Sequence, residues 1–483
     1  MASRGKLAGK TSMAEQNTAR PVKCGHQECG YPDANPTSEG TSVSSILPLL
    51  PPVLHPAEDV IIDASPPLFD WSPTQFEHAA LAGVVSETES PESDADGLEN
   101  SLDRRVEMSA PAEDYPALIN PLDPYNIPQE LKFILNYHLL EVAPKLVIDD
   151  TLTRNPYSQF ILQLALEKPP LLYACAALAA SHWHVRLLNK SCKVDCLRFR
   201  GKAMRRLQEQ MWSEQSAKDD GNLTTILMLT LTDMSLGEPS NFDAHFGAAK
   251  RLVDLRGSEW TRDAFVEQYI SWLDIMCSAN HHREAFFTPE DVAAFTGPSR
   301  QWSHDVFPCP PDQFTIISEV IRLFKTQPDP QNPAPEVVEK AIECKRQVLF
   351  LPMHTERGPG WFHLTEAFRH AIGIYTIRLF HLEADEDEIQ WLTQSVIYHA
   401  KLTPPHTGWT NHLLWPLFHA GLELREGRQK QWLRERSDVM QRSGGFRNVE
   451  TSMEILEQVW DSGVRPDYTN LLSPDLFNAM VLV

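Results

Sequence analysis

The sequence predicts an all-α chain: an irregular multi-helix body of about a dozen helices, preceded by a disordered arm. Three observations carry this. From Gln129 onward, apolar residues recur at helical spacing in one segment after another, with glycine and proline between them. No run of strictly alternating apolar and polar residues marks a strand, and no fixed-period repeat marks a regular solenoid. Residues 1–128 hold 16 of the 37 prolines and an acidic, serine-rich run, Ser86–Asn100, with six carboxylates and no base. Such an arm buries too little apolar surface to offset its ordering entropy. The expected organisation is therefore an arm over 1–128, a helical domain over 129–465 and a C-terminal tail over 466–483.

The elements follow in order. Gln129–Val142 places Leu131, Ile134, Leu135, Tyr137, His138 and Leu139 partly on one face, and Pro144 stops it. Asn155-Pro156 is a turn signal ahead of a helix over Tyr157–Leu166. Leu171–Leu188 is alanine-rich and apolar on almost every face, which predicts a central buried helix. Val194–Trp212 is amphipathic and basic, with Arg198, Arg200, Lys202, Arg205 and Arg206. Leu223–Leu236 is apolar throughout; its threonines suit a strand, but its length favours a helix. Further helices are expected at Phe242–Leu255, Arg262–Met276, Asp312–Lys325, Glu336–Phe350, Trp361–Leu382, Glu386–Ala400, Asn411–Leu424, Arg428–Gln441 and Val449–Trp460. Gly257, Pro289, Pro308 to Pro311, Pro328 to Pro335, Pro404-Pro405 and Gly444-Gly445 read as connections.

Charge and composition exclude several classes. Lys plus Arg is 43 against 65 for Asp plus Glu, a net charge of −22. A chain this acidic is a poor non-specific binder of polyanions, so DNA contact needs a local basic module or a second chain. No run approaches the ~18 to 20 apolar residues of a membrane span. Met1–Arg20 has no apolar core of a secretory signal, so the eight cysteines are expected as free thiols in a reducing compartment.

Catalytic and metal signatures are sparse. Cys24 and Cys29 flank His26, but a structural zinc site needs four ligands and no second pair follows at the usual spacing. Cys192 and Cys196 stand at i, i+4, near His182 and His184, and buried free thiols are their ordinary meaning. Gly5 to Thr11 has three residues between its glycines where a phosphate loop needs four, and no strand precedes it. His381 to Asp385 has the His-x3-Asp spacing of some acyltransferases, yet it lies where a helix runs into acidic residues and reads as a solvated helix end. Within the arm, Pro66–Phe76 sets Leu68, Phe69, Trp71 and Phe76 beside Asp63, Asp70 and Glu77. Acidic neighbours keep such aromatics solvated and available to a coactivator groove, so an activation segment is expected near 60–100, centred on Leu68, Phe69, Asp70, Trp71 and Phe76. Packing on the helical body is the equal alternative.

The order of the helical segments resembles a known family. Leu131–Asp150 and Thr153–Trp183, then Phe199–Gln208, Asn222–Gly257 and Phe265–Met276, and finally His412–Glu423 and Phe446–Trp460, resemble in sequence order the regulatory domain of fungal-specific transcription factors. The similarity covers about residues 130–465; acriflavine-sensitivity-control-type proteins and regulators of amino-acid or secondary-metabolite genes are the subgroup it is most similar to. The resemblance implies a nuclear regulator whose helical domain controls activity, dimerisation and response to a small-molecule effector, without catalytic residues or a bound cofactor of its own. Gly237, Gly247 and Gly257 punctuate this segment and read as caps or close helix packing rather than a ligand site. The family's DNA-binding module is a cluster of six cysteines holding two zinc ions, and this chain has only Cys24 and Cys29 in its N-terminal part. Zinc is expected only if a cluster is missing from the N-terminus. Three explanations stay open: a lost upstream exon, regulation through a partner, or recruitment of the fold to another role. Rival readings are an enzyme of fungal secondary metabolism, using histidines such as His281-His282, His304, His363 and His419, and an interaction scaffold outside transcription. The expected partners are coactivators or other transcription proteins, a second protomer and an effector, with no membrane.

Overall fold

The helices of the computed structural model start and stop where proline, glycine and capping side chains dictate. The structure describes residues 122, 125–148, 155–187, 190–236, 242–257, 264–280, 283–297, 300–329, 332–384, 386–405 and 407–463. The expected activation segment with Leu68, Phe69, Asp70, Trp71 and Phe76 lies outside them, as do Cys24, His26, Cys29, Gly5 to Thr11, Gly237 and His281-His282. Among the described residues there is no strand, as the all-α reading expects. No described helix is long and apolar enough to cross a membrane.

Helix α1 (Gln129–Tyr137) runs into a π turn, His138–Val142, and a 3-10 turn, Ala143–Lys145, that contains Pro144. A second π turn, Tyr157–Ile161, opens α2 (Leu162–Glu167). Next come α3 (Pro169–Leu187), α4 (Lys190–Gln210), the short α5 (Glu214–Ala217) capped by Ser213, and α6 (Asp220–Leu236). The alanines of α3 leave it thin and apolar all round, and α4 and α6 both pack on it. Helix α6 is buried from Gly221 to Leu236. Thr224, Thr225, Thr230 and Thr232 each donate a hydroxyl to the carbonyl four residues earlier. The helix thus satisfies its own side chains, and a segment of β-branched residues can be enclosed on every side.

The basic residues of α4 are largely engaged within the chain. Arg198 and Lys202 reach Glu130, and Arg206 reaches Glu209. Arg200 turns inward to Asp233 on α6, which also meets His245 of α7 (Phe242–Arg256). Gly247 lies inside α7 under Phe286, where a Cβ would come within 3.3 Å of the ring, and Gly257 follows the helix at φ 59°. The close-packing and capping roles expected of these two glycines hold.

Helix α8 (Phe265–Asn280) joins the two halves: it packs on α6 and α7, and also on α9 (Pro289–Thr296) and α10 (Pro311–Lys325). Pro289, expected to mark a connection, instead opens α9. Thr288 and Asp291 cap it reciprocally, and proline at the first helical position lacks an N–H that would be unpaired anyway. Helices α11 (Pro335–Phe350), α12 (Pro359–Leu379) and α13 (Glu386–Leu402) follow. Helix α12 is the hub of the second half, buried from Leu364 to Ile377 and packed by α10, α11 and α13. Trp272 of α8 meets Phe307, Phe314 and Phe368, and Phe368 stacks on Trp415.

The helix expected over Asn411–Leu424 is realised as α15 (Leu414–Leu422), and Asn411 instead ends a separate short helix, α14 (Thr407–Asn411). Pro416 has no N–H for the His412 carbonyl, and its ring would strike that carbonyl in a continuous helix. The chain breaks at residues 412–413, which moves the proline into a first turn where it is harmless. Helices α16 (Gly427–Gly444) and α17 (Asn448–Ser462) close the fold. The expected end at Gly444-Gly445 is realised with Gly445 at φ 75°, a left-handed cap that suits glycine. Its neighbour's carbonyl, Gly444 O, lies 2.8 Å from His182 Nε2 on α3, and Tyr137 Oη lies 2.9 Å from His182 Nδ1. A carbonyl only accepts, so His182 donates through Nε2 and accepts from the Tyr137 hydroxyl through Nδ1.

Candidate functional site

Two places combine concavity or convergence with chemistry. The first is a cavity of about 460 Å³ between the end of α8, the connection into α9, and α10. Local structure sets its wall. Asp274, fully enclosed on α8, accepts from the Phe287 backbone N–H at 2.9 Å and pairs with Arg283 at 2.7 Å, which pins the 283–288 loop beside the helix. Burial raises the Asp274 carboxyl above its usual range, and the Arg283 charge works against that rise. Ile275, Phe287 and Ile321 form the apolar floor. Arg322, Lys325, Glu284, Glu290 and Glu319 supply its charged lining. Glu319 holds the Arg322 guanidinium at 2.7 and 2.5 Å. Burial, with help from the Arg283 charge, lowers Lys325 to about 8. The volume lies within the ~300–1,000 Å³ of small-molecule sites, and the mixture of apolar floor and charged lining suits a compact amphipathic ligand carrying charge.

The second place lies on the seam between α12 and α13. Glu366 and His370 stand one turn apart on α12, and His399 approaches from α13; one ligand atom from each lies within 4.8 Å of the others. His370 Nδ1 is 2.7 Å from the Glu366 carbonyl, so that nitrogen donates and Nε2 carries the lone pair. The His399 ring stacks on His370 with centroids 5.7 Å apart, and its Nδ1 lies 2.9 Å from Nδ1 of His363. Burial lowers His370 and His363 below the ordinary histidine value, and it lowers His399 to about 4 with help from the two neighbouring rings. Burial raises Glu366, against the pull of Arg369, whose Nε is 2.9 Å from Oε1. Of these residues only His363 stood out in the sequence. The detectable signal is its spacing to Glu366 and His370, at i, i+3 and i+7, which makes one helical stripe.

The other residues weighed in the sequence take ordinary structural places. His182 is engaged with Tyr137 and Gly444, and none of the six described cysteines is in a disulfide. His304 sits edge-on to Trp361, and His419 lies among Tyr375, Trp415 and Phe418. His381 follows α12 at φ 48°, exposed at the helix end as expected, and Asp385 lies outside the described residues.

Comparison with known proteins adds one finding. The sequence model described as the fungal specific transcription factor domain matches residues 133–464, more than two thirds of the chain. No curated protein matches, and no solved structure matches.

Proposed function

Because this chain belongs to the fungal-specific transcription factor domain family, we propose that it is a nuclear transcription regulator, serving a metabolic or secondary-metabolite gene set, whose helical body reads a small effector. The observation that supports the effector is the α8–α9–α10 cavity. It sets an apolar floor beneath the Arg322–Lys325 cation pair and three carboxylates, inside the domain the family uses for control. In this reading the arm, with Leu68, Phe69, Asp70, Trp71 and Phe76, recruits coactivators. DNA is reached through a partner, because the chain carries −22 net charge and the basic face of α4 is mostly paired.

A tethered reporter tests this. The full chain is fused to a heterologous DNA-binding domain, and transcription is compared with that of the binding domain alone. Activation is expected, and alanine at Leu68, Phe69, Trp71 and Phe76 together is expected to reduce it. Replacing Arg322 by Ala and Lys325 by Met is expected to change the activity without changing protein level. A fusion that leaves the reporter at baseline under every growth condition tried, while accumulating in the nucleus, refutes the regulator reading.

A further inference from the structure

We propose that Glu366, His370 and His399 form a binding site for one divalent transition-metal ion of the zinc class, stapling α12 to α13. The three ligand atoms already converge within 4.8 Å of one another. In a tetrahedral zinc site with bonds of about 2.0–2.1 Å, ligand atoms stand about 3.3 Å apart. Closing the remaining gap takes a movement of about 1 Å, which side-chain torsions supply.

The surroundings of each ligand match what a metal site requires beyond its ligands. His370 donates through Nδ1 to the carbonyl of Glu366, which fixes the tautomer and aims the Nε2 lone pair outward, the arrangement usual for a metal-binding histidine. Arg369 engages Oε1 of Glu366 and, on its far side, donates to the carbonyls of Leu351 and Pro352 beyond α11. The carboxylate is therefore held in place by a fixed cation through one oxygen, and Oε2 is the oxygen a metal takes. His363 touches His399 at 2.9 Å and stands either as the group that orients it or as a fourth ligand.

The donor set decides the class of ion. Two imidazoles and one carboxylate suit zinc, cobalt, nickel or copper, whereas calcium and magnesium select all-oxygen sites. The seam reaches the surface at half-buried His399, beside exposed Trp391 and Tyr398, so an ion has a way in and a water can complete its coordination.

The test is a titration of the purified, metal-stripped full chain with cobalt(II), followed by the visible ligand-field spectrum and by metal content after gel filtration. Because Cys24, His26 and Cys29 could capture metal independently, the parent for the titration carries Cys24→Ser and Cys29→Ser. One cobalt per chain is expected, with a four- or five-coordinate nitrogen–oxygen spectrum that lacks thiolate charge-transfer bands. His370→Ala and His399→Gln are each expected to weaken binding by at least about tenfold, and His363→Ala by a smaller factor. His399 is half-buried, so its glutamine variant should retain the parent's circular dichroism and report on binding rather than folding. Failure to bind one equivalent overturns the proposal, as do thiolate bands or unchanged affinity in His399→Gln. None of these outcomes bears on the α8–α9–α10 cavity.

Discussion

Replacing Asp233 by Ala should destabilise the chain by about 3–5 kcal/mol, the usual result of removing one partner from a buried ion pair. The carboxylate holds Arg200 Nε at 2.9 Å through Oδ1, and it holds Arg200 Nη2 at 2.9 Å and His245 Nε2 at 3.0 Å through Oδ2. The three side chains are 13%, 5% and 1% exposed for Arg200, Asp233 and His245, so water cannot replace what is removed. Burial alone would raise the Asp233 carboxyl; Arg200 and the hydrogen bond from His245 outweigh it and hold the group below its usual value. The sign follows. A depressed folded pKa contributes stability above the unfolded value of 3.8 that is lost as pH falls through the folded one. The assay is urea unfolding of the full chain at pH 7.5 by far-UV circular dichroism, with Arg206→Ala, from an exposed pair, as the control expected within about 0.5 kcal/mol. A third variant joins Arg200→Met, Asp233→Leu and His245→Phe; it should recover much of the loss, because the cost lies in leaving charges without their partner. If Asp233→Ala unfolds within about 1 kcal/mol of the parent at unchanged m, the buried network does not hold α4, α6 and α7 together as argued.

Two further outcomes are expected. Gly408→Ala places a Cβ 2.0 Å from the Val147 carbonyl oxygen and 2.5 Å from that of Ile148; its helix-propensity gain of about 1 kcal/mol should lose to overpacking of about 1–3 kcal/mol, and an unchanged or raised Tm in scanning calorimetry would contradict the backbone approach. Burial lowers His138 and His182 to about 4 and His419 to about 3 against an unfolded value of 6.5; the unfolded chain therefore takes up more protons between pH 6.5 and 4, and stability should fall by about 1.4 kcal/mol per pH unit for each of them, so a urea midpoint that stays constant from pH 7 to pH 5 would refute the neutral buried rings.

Periodicity made the long helices legible. The alanines of α3 and the apolar length of α6 identified both as buried, and even the threonines of α6 were compatible once length arbitrated between helix and strand. The misread places both turn on proline: in sequence Pro289 reads as a connection, and Pro416 passes unmarked inside an expected helix. Pro289 begins a helix and Pro416 sits in the first turn of one, and only the capping geometry of Thr288 and the carbonyl of His412 separate those outcomes from the expected ones. The seam cluster was half legible. His363, Glu366 and His370 form a helical stripe in sequence, but His399 comes from another helix whose register against α12 no local pattern encodes. The cavity was not legible at all, because a gap among three packed elements leaves no periodic trace.

The contact between His182 and Gly444 has a consequence for how the molecule is made. The two residues are 262 positions apart. A ribosome adding about 5–20 residues per second needs roughly 13 to 50 s to travel from one to the other. Throughout that interval α3, the most apolar of the early helices, waits without its last neighbour, and the nascent chain presents that unfinished surface to the cytosol. Slowing elongation beyond residue 187 should lengthen the dependence of newly made chains on holding chaperones, and chains released before residue 444 should be recovered as aggregates or chaperone complexes.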